Sequence, residues 1–191
     1  MHNNRTPVTE RRSSRLETGK GIFLDRDGTI IRDAHYLGNP DEIVLLPGVA
    51  KALTLLREAG FSLFLFTNQS GVGRGHFTLE TVHRCNDRMI ALLGMDGPVF
   101  VEVCIAPERP DEPSRYRKPN PRFINECVTK YRLDRALSWM VGDKPSDVEA
   151  GLNAGIKAAL VNGAETNALA SGVLRYHTLY DFAQAVTNGA R

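Results

Sequence analysis

The composition leaves little room for disulfide chemistry. Cysteine occurs three times, as Cys85, Cys104 and Cys127, an odd number at wide spacing that argues against a disulfide framework. Aromatic residues make up 7% of the chain, with one tryptophan, Trp139. No apolar run approaches the roughly 18 residues that a membrane-spanning helix needs, and the first residues lack the apolar stretch of a secretory signal. An excess of one charge is also missing, since 24 Lys and Arg face 22 Asp and Glu for a net +2. Residues 1–20 carry Arg5, Arg11, Arg12, Arg15 and Lys20 against Glu10 and Glu17, a local +3 that leaves the rest at −1. A body this close to neutral has no electrostatic footprint for nucleic acid. These absences predict a cytoplasmic protein with no membrane or nucleic-acid partner.

What is present is a globular pattern. The chain has 191 residues, 42% hydrophobic and 24% charged, enough for one α/β domain. Residues 1–20 read as a basic, flexible tail, and 21–191 as a single domain. Short apolar runs alternate with helical periodicity. Strands are expected at Gly21–Asp25, Phe61–Thr67, Pro98–Ile105, Leu137–Gly142 and Lys157–Val161. Helices are expected at Pro47–Ala59, from Thr78 to Leu93, from Pro119 or Pro121 to Tyr131, from a capping-box spacing at Ser146 to Glu149 up to Gly155, and at Leu179–Val186. Strand–helix alternation predicts a doubly wound parallel sheet, a Rossmann-like α/β fold.

Ligands in such sheets bind beyond the carboxyl ends of the strands, and the residues there are polar. The first strand delivers Asp25-Arg-Asp-Gly-Thr29, the second ends in Thr67-Asn-Gln-Ser70, the loop after the third carries Arg117-Lys118, and the fourth ends in Gly142-Asp143-Lys144. Taken singly, Asp27-Gly28 is ordinary turn chemistry, Thr67 an ordinary strand residue and Lys118 an ordinary surface lysine. Together they converge on one rim. Like charges about 4 Å apart repel by roughly 4 kcal/mol at an effective dielectric near 20, so Asp25, Asp27 and Asp143 call for a cation. Oxygen donors of this kind suit Mg²⁺, and Lys118, Arg117 and Thr67 would then meet a phosphoryl group. The pattern predicts Mg²⁺-dependent phosphoryl transfer.

These segments resemble the haloacid dehalogenase superfamily of aspartate-nucleophile phosphohydrolases, over about Gly21 to Val161. Asp25-x-Asp27-Gly28-Thr29 matches its first motif, Thr67 its second, Lys118 its third and Gly142-Asp143-x-x-x-Asp147 its fourth. The resemblance implies that Asp25 attacks phosphorus, that Asp27 serves as acid and then base, and that Thr67 and Lys118 stabilise the phosphoryl group. It implies Mg²⁺ held by the Asp25 and Asp143 side chains and the Asp27 carbonyl, with Asp147 orienting Lys118 or the metal's surroundings. Asp25-Arg-Asp-Gly-Thr-Ile30, Thr67-Asn-Gln-Ser-Gly-Val-Gly-Arg-Gly75, Arg117-Lys-Pro119 and Val141-Gly-Asp-Lys144 narrow it to the D-glycero-D-manno-heptose 1,7-bisphosphate phosphatases. The alternative is a histidinol-phosphate or broader sugar-phosphate phosphatase. By the same resemblance, a phosphorylated sugar is contacted by Arg26, Asp33, His35, Tyr36, Asn68, Gln69, Ser70, Arg74, Arg117 and Lys144. No large cap domain and a monomer are expected.

One departure stands out. The family's zinc-bearing loop before Arg-Lys-Pro carries Cys-x-His and Cys-x-Cys ligands, whereas Ala106, Glu108, Ser114 and Tyr116 stand there in this chain. Cys104 is the one cysteine nearby, and no zinc is expected. Two other readings fail on spacing. His76 occupies the place where a dinucleotide-binding glycine run starting at Gly71 needs its third glycine. A phospho-accepting receiver module has no Gly-Asp-x-x-x-Asp motif after its lysine, and here Asp143 follows Lys118.

Overall fold

The structure, a computed structural model, describes residues 18–162 and 173–189. The expected tail therefore falls mostly outside the described residues, although Gly19 already bridges to Leu133 and Lys20 opens the first strand. Six strands form one parallel sheet: β1 (Lys20–Leu24), β2 (Phe61–Asn68), β3 (Glu102–Ala106), β4 (Trp139–Gly142), β5 (Lys157–Val161) and β6 (Leu174–Tyr176). Their order, β3-β2-β1-β4-β5-β6, is that of a doubly wound sheet. The helices are α1 (Val49–Glu58), the single turn α2 (Ser70–Gly73), α3 (Leu79–Leu93), α4 (Arg122–Lys130), α5 (Pro145–Asn153) and α6 (Leu179–Asn188). No helix among the described residues is long and apolar enough to cross a membrane.

Side chains alternate across a strand, and the sequence uses this to build two cores. Ile22 and Leu24 of β1 and Leu63 and Leu65 of β2 face one layer, packed with α1, α3 and α6 through residues such as Leu53, Met89 and Phe182. Phe23, Phe64 and Phe66 face the other, against Phe123, Ile124, Cys127 and Val128 of α4. There Phe23 stacks on Phe64 at 4.6 Å and meets Phe123 edge-on at 5.9 Å. The nearly continuous apolar runs of β1 and β2 thus reflect burial on both faces. Cys85, Cys104 and Cys127 are free and buried, and burial pushes the thiols of Cys104 and Cys127 up to about 12.

The differences from expectation have local causes. The third strand begins at Glu102 rather than Pro98, because proline has no N–H for a ladder, although Val99 and Phe100 still fill the core. α5 is capped by Lys144 instead of Ser146. The Asp147 carboxylate accepts the Lys144 backbone N–H at 3.0 Å, and Pro145 occupies the first turn, where its missing donor does no harm. β6 has no apolar alternation, its residues being exposed or half-buried at the sheet edge, which is why the sequence did not reveal it. Because Phe64 is fully buried between Phe23 and Tyr131, Phe64→Ala is expected to lower the unfolding free energy by about 3–5 kcal/mol in urea denaturation. A loss below about 1 kcal/mol would contradict the packing described.

Candidate active site

The chain crosses from one half of the sheet to the other between β1 and β4, and the carboxyl ends of these neighbours form the switch-point crevice. Asp25 leaves β1 with its N–H donated to the Val141 carbonyl at 2.9 Å, and Asp143 leaves β4 directly opposite. A tight turn follows Asp25. The Arg26 carbonyl accepts from Thr29, Ile30 and Ile31, and Gly28 N–H reaches the Ile31 carbonyl at 2.8 Å. Gly28 sits at φ +78°, and a Cβ there would fall 2.2 Å from Asp143 Oδ2, so only glycine lets the turn close over that carboxylate.

Thr67 and Asn68 end β2. The two amide atoms of Asn68 clamp the Lys118 backbone, accepting its N–H at 3.0 Å and donating to its carbonyl at 3.2 Å. This clamp brings Lys118 in from the loop after β3. Its Nζ lies 2.7 Å from Asp25 Oδ1 and 2.6 Å from Asp147 Oδ1, with all three side chains buried. Burial would lower the lysine's pKa, but Asp147 and Asp25 outweigh it and hold the amine charged. For Asp25, burial wins over the neighbouring lysine and raises the carboxyl above its ordinary range. Asp143 is pushed up to about 7, by burial first and by the charge of Asp25 second.

This is the electrostatic profile of a site short of positive charge. Oxygens of Asp25, Asp143 and Asp147 lie within 4.8 Å of one another. Asp143 Oδ1 is buried and has no hydrogen-bond partner among the described residues. An all-oxygen donor set with an orphaned carboxylate oxygen fits a hard divalent cation. Asp147, committed to Lys118 and to the Lys144 N–H, is the least available of the three.

Asp27, two residues after Asp25, has its carboxylate held by three N–H groups. Gln69 Nε2 donates to Oδ2 at 2.8 Å and also reaches Thr67 Oγ1 at 2.8 Å, and Arg26 donates through Nε at 3.0 Å and a terminal nitrogen at 3.2 Å. Arg26 requires a correction. It is expected at the substrate but is 1% exposed, because the turn folds its guanidinium inward onto Asp27 and onto Asn86 of α3 at 3.0 Å. Asn86 is the site residue that the motifs miss.

A cleft of about 260 Å³ opens above Asp27, and its walls include Asp33, His35, Tyr36, Asn68, Gln69, Ser70 and Lys144. Lys144 donates to Asp33 Oδ2 at 3.1 Å across the mouth, while Asp33 Oδ1 accepts the His35 N–H at 3.2 Å. Burial opposes the charged form of Asp33, yet Lys144 keeps its pKa below the ordinary value. His35 and Tyr36 both have positive φ, 44° and 59°, a strained arrangement that turns the segment back, and the Tyr36 ring lies against His76 at 4.5 Å. Arg117 and Arg74 lie apart from the walls of this cleft. Arg74 is exposed, and the half-buried Arg117 donates to the Glu108 carbonyl at 3.1 Å.

Residues 106–118, where the resemblance places a zinc loop, are knitted by hydrogen bonds. Ser114 Oγ donates to Glu108 at 3.0 Å and accepts the Arg117 N–H at 2.8 Å. The loop docks on α2 where Gly73 N–H meets the Pro107 carbonyl at 3.0 Å, and a Cβ on Gly73 would come within 2.9 Å of that oxygen.

Residues 115–183 match the HAD-hydrolase-like family. The D-glycero-D-manno-heptose-1,7-bisphosphate 7-phosphatase of Chlorobaculum tepidum is 35% identical over 188 residues, covering 90% of this chain and 94% of that protein. The chain belongs to the heptose-bisphosphate phosphatase family of haloacid dehalogenase-like hydrolases. The D-glycero-beta-D-manno-heptose-1,7-bisphosphate 7-phosphatase of Mesorhizobium japonicum is 39% identical over 153 residues, covering 74% of this chain and 69% of that one. The crystal structure of the B. bronchiseptica D,D-heptose 1,7-bisphosphate phosphatase complexed with magnesium and phosphate superposes with a TM-score of 0.81, at 31% identity, over 89% of this chain and 99% of that one. The fold is thus that of this family, with no large cap among the described residues, and the activity is that of a phosphoric monoester hydrolase.

The electrostatics carry a pH signature. An acid with a raised folded-state pKa keeps its proton while the unfolded chain loses it, so stability falls as pH rises between the two values. In the chelated protein, the melting temperature is expected to drop between about pH 4, near the ordinary carboxylate range, and the Asp143 value of about 7. Asp143→Asn should flatten that drop and raise the melting temperature at neutral pH, as read by thermal denaturation with EDTA. An unchanged profile would contradict the assignment of strain to Asp143.

Proposed function

We propose that the chain removes the C7 phosphate of D-glycero-D-manno-heptose 1,7-bisphosphate through an aspartyl-phosphate on Asp25, with Mg²⁺. The observation that carries this reading is the buried Asp25–Lys118–Asp147 array, which holds one aspartate beside a charged lysine, two residues from the Asp27 that lines a polar cleft. The relatives named as heptose-bisphosphate 7-phosphatases support the substrate. Asp25, Asp143 and the Asp27 carbonyl would hold Mg²⁺, which would supply positive charge to offset that of the phosphoryl group.

In the first step an Asp25 carboxylate oxygen bonds to phosphorus as the bond to the sugar oxygen breaks, and Asp27 gives its proton to that leaving oxygen. In the second, Asp27 takes a proton from water whose oxygen bonds to phosphorus, releasing Asp25 and inorganic phosphate. Lys118 and the Thr67 hydroxyl face the charge that gathers on the phosphoryl oxygens. Lys118 opposes the burial that raises the Asp25 carboxyl, and the positive charge of a bound Mg²⁺ would add to that opposition and favour the ionised nucleophile. Lys144, His35, Tyr36 and Ser70 form the cleft walls for the sugar and its second phosphate, with Arg117 and Arg74 nearby as further cations. The reading includes a cytoplasmic monomer that needs no zinc, since hydrogen bonds already tie the 106–118 loop together.

Phosphate release, assayed with Mg²⁺ and with EDTA, tests this on both heptose bisphosphate anomers, histidinol phosphate and a generic sugar phosphate. The expected result is Mg²⁺-dependent turnover of one heptose anomer in strong preference. Preferred turnover of histidinol phosphate, or equal turnover of all, would overturn the substrate. Asp25→Asn should lose at least about a thousandfold in turnover while keeping its circular dichroism spectrum, and retained activity would overturn the nucleophile. Metal analysis of protein purified without chelator should return no stoichiometric zinc.

A further inference from the structure

Helix α3 turns Val82, Cys85, Met89 and Leu93 into the core, and Asn86 lies on the same buried face, 4% exposed. A buried amide costs stability unless it is bonded. Its Oδ1 accepts from the Arg26 guanidinium at 3.0 Å, while its Nδ2 finds no partner among the described residues. The acceptor oxygen is therefore the half of the amide that the fold uses. Arg26 in turn places its Nε and other terminal nitrogen on Asp27 Oδ2 and Oδ1, at 3.0 and 3.2 Å.

A guanidinium is planar, and its N–H groups form a rigid fork. Anchoring one prong at Asn86 therefore fixes the plane in which the other two meet Asp27. Gln69 holds the same carboxylate from the cleft side at 2.8 Å. We infer that Asn86 is a positioning residue which, through Arg26, sets the orientation of Asp27 for proton transfer to the leaving oxygen. This rests on the reading of Asp27 as the acid–base residue. Arg26 comes from the turn after β1, and Asn86, which touches Arg26 and not Asp27, from a helix that carries none of the motifs. Neither lines the cleft, so their influence falls on the proton and not on substrate binding.

The leaving group separates this role from a merely structural one. kcat/KM reports events up to the first irreversible step, here phosphorylation of Asp25. A sugar alkoxide needs a proton at that step, whereas p-nitrophenolate leaves without one. Asn86→Leu keeps the size and removes the acceptor, and Asn86→Asp keeps the acceptor. With the full chain and Mg²⁺, Asn86→Leu is expected to lower kcat/KM on the best-turned-over sugar phosphate by about tenfold or more. On p-nitrophenyl phosphate it should change kcat/KM by less than about twofold. Asn86→Asp should recover the sugar-phosphate value to within about threefold.

Asp27→Asn, run alongside, should show the same selectivity more strongly. If Asp27→Asn is selective but Asn86→Leu loses both substrates in parallel, loses neither, or is not rescued by Asp, the Asn86 proposal is overturned alone. If Asp27→Asn itself loses both substrates equally, the acid–base reading falls and the proposal with it. Should the Leu variant not fold by circular dichroism, Asn86→Ser, which also withdraws the oxygen from Arg26, carries the same outcomes.

Discussion

Lys118 joins Asp25 and Asp147 in a buried ion cluster, and the ends of four strands are arranged to make that cluster possible. Three carboxylates crowded at one crevice repel one another strongly in a low-dielectric setting, and a single ammonium offsets only part of this. Burial first, and the charge of Asp25 second, raise the pKa of Asp143, whose Oδ1 has no hydrogen-bond partner among the described residues. Breaking a buried charge pair is costly because the remaining charge is left uncompensated. The fold accordingly secures Lys118 from several sides, with the Asn68 clamp on its backbone and the Asp147 contact on its amine. The site is short of positive charge, which is what the proposed cation would supply.

The parallel sheet supplies the geometry for this arrangement at little cost in strain. β1 and β4 lie side by side, and the chain leaves them in opposite directions, so their terminal aspartates meet at the crevice without any irregular loop between them. Gly28 and the hydrogen bonds to the Arg26 carbonyl fold the turn after β1 back over Asp143. Strain is concentrated instead in the segment at the cleft mouth, where His35 and Tyr36 adopt positive φ beside the Asp33–Lys144 pair. The hydrogen-bonded turns hold the buried charged groups, and the strained segment lines the mouth of the cleft.

Much of this was legible in the sequence. β1, β2 and β5 announce themselves as apolar runs, and Asp25, Thr67, Lys118 and Asp143 sit at or after strand ends where a doubly wound sheet gathers its ligands. Adjacency in sequence, however, does not say which way a side chain turns. Arg26, between Asp25 and Asp27, was expected at the substrate, and the turn buries it. β6 and α2 are too short and too weakly patterned to be seen. Asn86 left a faint signal, a polar residue four positions after Val82 in the buried phase of an otherwise regular amphipathic helix. The hydrogen-bonded loop at Glu108 and Ser114 was visible only as missing ligands, since bonds between side chains six residues apart leave no periodic trace.

The most direct test of the account is to identify the residue that becomes phosphorylated. The enzyme, mixed with sugar phosphate and Mg²⁺ and quenched in acid during turnover, would be reduced with borohydride and its peptides sequenced by mass spectrometry. The account predicts conversion of Asp25 alone to homoserine, the mark of an aspartyl-phosphate at that position. Phosphate release with Asp25 unmodified, or the mark on another carboxylate, would contradict it.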